Sequence, residues 1–537
     1  MRALPVLLAA CVLVSACTRV GSGSDGRRPG TVPHVLRIAE FSEPDTLNPY
    51  LSELDVNYAI ASLVYSYLIV SDDRGRLVGD LATDVPSLTN GGISRDGRTV
   101  VYHLRHGVRW QDGVPFTARD VVASWHAVMD PTHQTLYRNG YDRVSSISTP
   151  DDFTVVIHLA TRYPPFVSQF FAPLQEGAKP ILAAHVLART VNFNRGRLAT
   201  GAIGTGPFKF AQWKHGESMT LVRNDAYFRG PPKLERIEYR FYSSAQTMAT
   251  VLGTNHADVI ETPPLSLYPV LRGFPGLALT LSSWNSQGFV LFNHRVPGVN
   301  DLNVRRAIAL ALDRPRIVET TTRGVGEVAY DVLSPGQLGY EKRALDYDPA
   351  QANVILDHAG WLRGPDGVRV KDGTRLDFAI VTIAESPTYV QVSEEIQQSL
   401  RAIGIRISVK PVAVSALFTP SGPIRTEKFE IAMYGSELSW DPDSHIYYAC
   451  NEAYPKGQNV YGFCDPRYDR LQEAALDTDD PAVRARLYRE SDGVLWDDVA
   501  YIPLYQMRRI VATNPDLRNY RPNGTSAPWW NAWQWDI

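Results

Sequence analysis

Residues 96–125 read DGRTVVYHLRHGVRWQDGVPFTARDVVASW, and this run decides the fold. Asp96-Gly97 is a turn dipeptide, and Thr99 to Arg105 is rich in β-branched and aromatic side chains, which predicts a strand. Asp112-Gly113 turns the chain again. Thr117 then stands as a helix cap, Ala118 opens the helix, and Asp120 lies in the first turn, where a carboxylate meets the positive helix end. Val121, Val122, Trp125 and Val128 recur at helical spacing and predict the buried face. Strand and helix alternate through the rest of the chain in the same manner, which points to α/β lobes.

The wording of this run resembles the signature of the family 5 extracellular solute-binding proteins, the peptide- and nickel-binding receptors of ABC importers. Those proteins carry a strand ending in L-R-x-G-V, a turn D-G-x-P-F-T-A-x-D-V, and then a helix. The resemblance continues from Leu36 onward. Asp45-Thr46-Leu47-Asn48-Pro49 is similar to the family's D-x-L-x-P loop, and Gly204 to Phe210 to its G-T-G-P-Y/F element. Asp301 to Arg314 is similar to its v-R-x-A-i-x-x-A-i-D-R helix, and Asp441-Pro442-Asp443 to its D-P-D turn.

The resemblance implies a periplasmic-binding-protein type II fold of the α/β class, with two lobes joined by a two-strand hinge and an extra inserted α/β subdomain. Lobe I would combine 34–50, 195–283 and 507–537, the inserted subdomain would be 51–194, and lobe II would be 284–506. Read from the residues themselves, Gly204 and Gly206 are expected to let the backbone turn tightly before a strand at Phe208. Arg305, beside a buried helical stripe, is expected to form a structural ion pair, and Gly360 to stop a helix.

The N-terminus reads as an export signal. Arg2 is a basic n-region, and Ala3 to Ala16 is too short an apolar run to span a bilayer, which needs roughly 20 residues. Residues 1–16 are therefore expected to be a signal peptide. Val14-Ser15-Ala16-Cys17 looks like a bacterial lipobox, so Cys17 is expected to carry lipid and 17–33 to be a flexible tether. An ordinary cleavage site with an incidental cysteine is the alternative.

The 54 basic and 57 acidic residues leave a formal charge of −3, and no long basic block appears, so nucleic acid is not an expected partner. Of the four cysteines, Cys450 and Cys464 remain beyond the leader. In an oxidising compartment they are expected to pair as a disulfide. Free thiols, or a metal set with His445 and Asp465, are the other readings, although that spacing matches no zinc pattern.

No G-x-S-x-G elbow, H-E-x-x-H or C-x-x-C is present. Neither enzyme activity, nor a cofactor, nor a metal is expected. By resemblance the protein is a monomeric, lipid-anchored substrate-binding subunit at the cell envelope. It would capture oligopeptides or a related small solute for permease subunits with cytoplasmic ATPases. A ligand sensor for a membrane receptor is the alternative, and an exported hydrolase a more distant one.

In the peptide-binding relatives an acid a few positions before the D-P-D turn receives the ligand's amino terminus. Leu438 occupies that position here, with Glu437 beside it, and Ile383 stands where dipeptide receptors place an arginine. The expected ligand-binding residues are Glu40 and Phe41 at the end of the first strand, Trp284, Asn293, Tyr434, Glu437, Trp440 and Asp441. Aspartates in such a turn also cap backbone groups, and Trp440 also reads as core.

Overall fold

The computed structural model describes residues 26–537 apart from 53, 136, 137, 139, 174–177, 200, 420, 438 and 525–527. The leader, Cys17, the start of the tether and Leu438 lie outside the described residues.

The opening run folds as a strand, Thr99–His103, slightly shorter than its composition predicts, followed by a helix, Ala118–Met129. The strand pairs antiparallel with Thr154–Leu159, which pairs with Val144–Asp151. At the helix start the Thr117 N–H donates to Asp120 Oδ2 at 2.9 Å, part of a capping box. Asp120 Oδ1 accepts from the Ala184 N–H at 2.8 Å, so one carboxylate fixes two segments. The buried face runs through Ala118, Val121, Ser124 and Val128, while Val122 and Trp125 are only half-buried. The shift follows from small residues: Ser124 comes close enough for its hydroxyl to donate to the Leu182 carbonyl at 3.1 Å.

One 11-stranded sheet runs through the whole molecule. On one side, Val35–Glu40 lies parallel to both Arg236–Phe241 and Val259–Glu261. On the other, Asp377–Ile383 lies parallel to both Arg406–Val412 and Ile431–Glu437. Parallel neighbours need a crossover, which helix Pro387–Ala402 supplies for the second set. Two long strands, Ala278–Phe292 and Tyr501–Thr513, join the halves, paired antiparallel from Ala278 with Thr513 to Leu291 with Tyr501. Their register slips between Ser283 and Ser286, which puts Trp284 and Asn285 in a bulge on this two-strand connection.

The cores follow the strand period. Ile431 and Met433 enter one hydrophobic cluster with Val304, Ile308 and Ile396. Ala432 and Tyr434, one residue out of phase, enter another with Leu291, Tyr448 and Tyr501. Residues 51–194 pack onto the first half of the sheet. Their Val100, Tyr102, Val121 and Val155 share one core with Leu36, Ile38, Phe208 and Tyr239 of the first half.

Gly204 and Gly206 serve close approach, with no left-handed backbone at either. A Cβ on Gly204 would lie 1.8 Å from the Val64 carbonyl oxygen, and one on Gly206 2.6 Å from that of Leu63. Both press against the end of helix Asp55–Val64. Gly360 does need its freedom: at φ +83° it follows the helix Pro349–His358. Arg305 is buried and ion-paired, donating to Asp498 Oδ2 at 3.0 Å and to the carbonyls of Val299, Asp498 and Val499.

Candidate ligand-binding site

Two connected cavities lie where the halves face each other. The outer one, about 1190 Å³, separates residues of 96–169 from residues of 437–477. The inner one, about 550 Å³, sinks into the second half beneath strand Ile431–Glu437 and the Asp441-Pro442-Asp443 turn. Glu437, Ser439, Asp443, Tyr447 and Gln458 line both, so they form the passage between the two. The location is the one that parallel sheets favour, at the carboxyl end of a strand.

The passage is acidic. Glu437 Oε1 accepts from the Trp284 Nε1–H at 2.7 Å. Burial raises the Glu437 carboxyl above its usual range, the charge of Asp55 adds to this, and Arg509 opposes it. The Arg509 guanidinium lies 5.6 Å from the Trp284 ring centroid, so both hinge strands support this carboxylate. Asp443 is pushed up to about 6 by burial and by neighbouring Asp441. Its Oδ1 accepts from the His445 N–H at 3.0 Å, and it has no ion-pair partner among the described residues.

Asp441 is the opposite case. Arg484 Nη2 lies 3.0 Å from both of its oxygens, and the Asp443 N–H donates to Oδ1 at 3.1 Å. Asp441 borders the inner cavity, but its acceptors are already engaged. The cavity wall is aromatic. Tyr434 meets Phe289 edge-on at 5.5 Å and Phe418 at 5.1 Å, and its hydroxyl is 3.4 Å from that of Tyr461.

The other expected residues lie elsewhere. Asn293 Nδ2 donates to the carbonyls of Glu427 at 3.0 Å and Phe429 at 2.8 Å, which braces the loop before strand Ile431–Glu437. Trp440 packs on Gly75, where a Cβ would come within 2.6 Å of the indole, so it joins the second half to the 72–76 turn. Glu40 lies at the end of the first strand and accepts from the Phe41 N–H at 2.8 Å. Burial raises its carboxyl to about 7. The Phe41 ring is 49% exposed, and neither residue lines the two cavities.

Sequence reasoning missed the wall supplied by 96–169. Arg98, Asp142, Arg143 and Tyr163 line the outer cavity. Arg162 closes its edge, donating to the Asp477 carbonyl at 2.7 Å and to the Arg95 and Asp96 carbonyls at 2.9 and 3.1 Å. It also missed Arg425 in the inner cavity. Neither arginine carries a local signal, because each acquires its position from a loop packed at long range.

Residues 76–458 match the bacterial extracellular solute-binding proteins, family 5 middle. The chain belongs to this family. Its members are binding proteins that act outside the cytoplasm, and the fold is the type II periplasmic-binding-protein architecture. The chain is 26% identical over 534 residues to the oligopeptide-binding protein AppA of Bacillus subtilis, covering 96% of this chain and 95% of that one. It is 28% identical over 512 residues to protein XP55 of Streptomyces lividans, covering 93% and 89%. The solved structure of B. subtilis AppA with a nonapeptide superposes with a TM-score of 0.75 at 25% identity, covering 93% of this chain and 98% of that one.

Proposed function

We propose that this family 5 protein captures oligopeptides outside the cytoplasm, encloses them between its lobes and delivers them to the permease of an ABC importer. The observation that carries this reading is the size and wall chemistry of the joined cavities. The outer cavity alone, at about 1190 Å³, exceeds the roughly 300–1,000 Å³ typical of small-molecule sites. Its lining mixes both charge signs with aromatic and amide groups, as a chain of varied side chains requires. Similarity along nearly the whole length to a protein solved with a nonapeptide supports the same class of ligand.

In this reading Glu437 and Asp443 give the passage a negative face for the peptide's amino end, in the place of the acid absent at Leu438. Tyr434 shapes the aromatic wall. Trp284 holds Glu437, and Asp441, Asn293 and Trp440 act by positioning. Glu40 and Phe41 form the opposite lip, met when the lobes close further. Lipid on Cys17 would keep the monomer at the membrane beside its permease.

The test is mass spectrometry of ligand released from a mild preparation, followed by calorimetry with the recovered peptide and its N-acetylated form. A peptide is expected, with acetylation weakening binding tenfold or more, and Glu437→Gln weakening it by 10- to 100-fold, about 1.4–2.8 kcal/mol. Recovery of a non-peptide ligand would overturn the assignment. Changing Cys17 to Ser should release the exported protein from membranes with affinity unchanged; equal partitioning of both forms would remove the anchor.

A further inference from the structure

Arg425 is the one cationic side chain among the described residues lining the inner cavity. It sits in the loop between helix Val414–Leu417 and strand Ile431–Glu437, where Thr426 Oγ1 donates to the Gly422 carbonyl at 2.8 Å and the Lys428 N–H to the Pro423 carbonyl at 2.8 Å. Its guanidinium lies 5.2 Å from the Tyr454 ring centroid, and its charge is felt at the Tyr434 and Tyr461 hydroxyls. Nearby arginines of this half have carboxylate partners: Arg484 with Asp441, Arg343 with Asp331, Arg295 with Glu427. Arg425 has none among the described residues.

A half-buried guanidinium beside the Tyr454 ring, with no carboxylate partner among the described residues, has given up water without gaining an anion, and a ligand anion in the cavity would restore that loss. Its planar fork fits a carboxylate by two parallel N–H bonds. Three acids line this cavity, Glu437, Asp441 and Asp443; Asp441 is taken up by Arg484, and the other two also line the outer cavity, whereas Arg425 lines the inner cavity alone. That separation of charge matches a ligand whose ammonium stays in the passage and whose carboxylate reaches inward.

We propose that Arg425 receives a carboxylate of the bound ligand inside the inner cavity and so sets the protein's preference for acidic groups there. The proposal rests on the peptide reading above. A cavity of about 550 Å³ is about 8 Å across if equally wide in all directions, and at about 3.3–3.6 Å per extended residue that span admits about two residues in line. The carboxylate is then either the chain terminus of a short peptide or an acidic side chain near the amino end of a longer one.

Calorimetry separates these sources. The probes are Ala-Phe-Ala as free acid and as amide, and Ala-Glu-Ala-Ala-Ala amide beside its Gln analogue. Wild type should favour the carboxylate member of at least one pair by tenfold or more, the first pair marking the terminus and the second the side chain. Arg425→Gln should abolish that preference, weakening the carboxylate member at least tenfold more than its neutral partner, and Arg425→Lys should keep part of it. A preference that survives Arg425→Gln, or wild-type binding without preference in either pair, would overturn the proposal. Should wild type bind none of the four, the peptide reading fails for them, and 3-phenylpropionate and its amide become the probes. Thermal stabilisation by the acid alone, lost in Arg425→Gln, still supports Arg425; no stabilisation overturns it.

Discussion

Asp441 and Asp443 stand two residues apart in one turn and have different chemistry. Asp441 shares a buried ion pair with Arg484, both side chains at 10% exposure or less. Removing one partner of such a pair leaves an uncompensated charge and costs about 3–5 kcal/mol. Asp441→Ala is therefore expected to lower unfolding free energy by about 3 kcal/mol in urea titration. A loss below about 1 kcal/mol combined with abolished binding would instead make Asp441 a direct ligand contact. Asp443, raised to about 6 by burial, keeps acceptor capacity for a cation. A ligand ammonium prefers its ionised form, so affinity should fall as pH drops through about 6, about tenfold by pH 5. On stability the sign reverses: the folded state holds this proton more tightly than the unfolded chain, so the group's contribution to the empty fold is full below about pH 4 and is lost as pH rises through about 6. An affinity flat from pH 7 to 5 would exclude Asp443 from the contact. The sequence shows the turn and the missing acid at 438, because both are local. It does not distinguish Asp441 from Asp443, because the difference is made by Arg484, remote in sequence.

At the scale of elements, the strand and helix of 96–129 were legible because period, turn residues and cap agree there. The glycines of the 204–206 segment were legible only as glycines. Turn freedom was the expected reason, and a carbonyl of another helix is the actual one, which no local pattern encodes. Gly204→Ala should accordingly destabilise by about 2–3 kcal/mol through forced displacement of the Val64 backbone, as strong as overpacking in a core. A thermal shift near zero would show that the helix end yields freely. The segment between Cys450 and Cys464 is closed by a disulfide with a sequence separation of 14. A loop of that size gives about 3 kcal/mol in the chain-entropy model. Reduction should lower stability by about that amount and loosen Tyr448, Tyr461 and Gln458, which line the inner cavity. Two alkylatable thiols in the native, unreduced protein would contradict this.

The whole molecule is two halves of one sheet, and the contacts that cross between them decide how it holds a ligand. Besides the two hinge strands, contacts between residues 51–194 and the second half include two at opposite segments of the insert. Trp440 rests on Gly75, and Arg162 ties the Arg95 and Asp96 carbonyls to Asp477, with its Nε 3.5 Å from Asp479 Oδ2. The Arg162 contacts border the outer cavity, so opening it breaks the bond to the Asp477 carbonyl and the pairing with Asp479, while the bonds to Arg95 and Asp96 stay within 51–194. The one crossing hydrogen bond is worth about 1 kcal/mol net, and the partly exposed ion pair less. Their sum suits a latch that holds the lobes together yet releases under thermal motion. Arg162→Ala is expected to speed release of the co-purified peptide about 10-fold and to raise the radius of gyration in solution scattering. Because the latch joins lobes and builds neither core, the unfolding midpoint should move little. The comparison with Asp479→Asn is informative: it removes only the charge of the partner and should give the smaller effect, screened further by salt. Equal release rates for wild type and Arg162→Ala would mean that ligand contacts and the hinge alone hold the cleft closed.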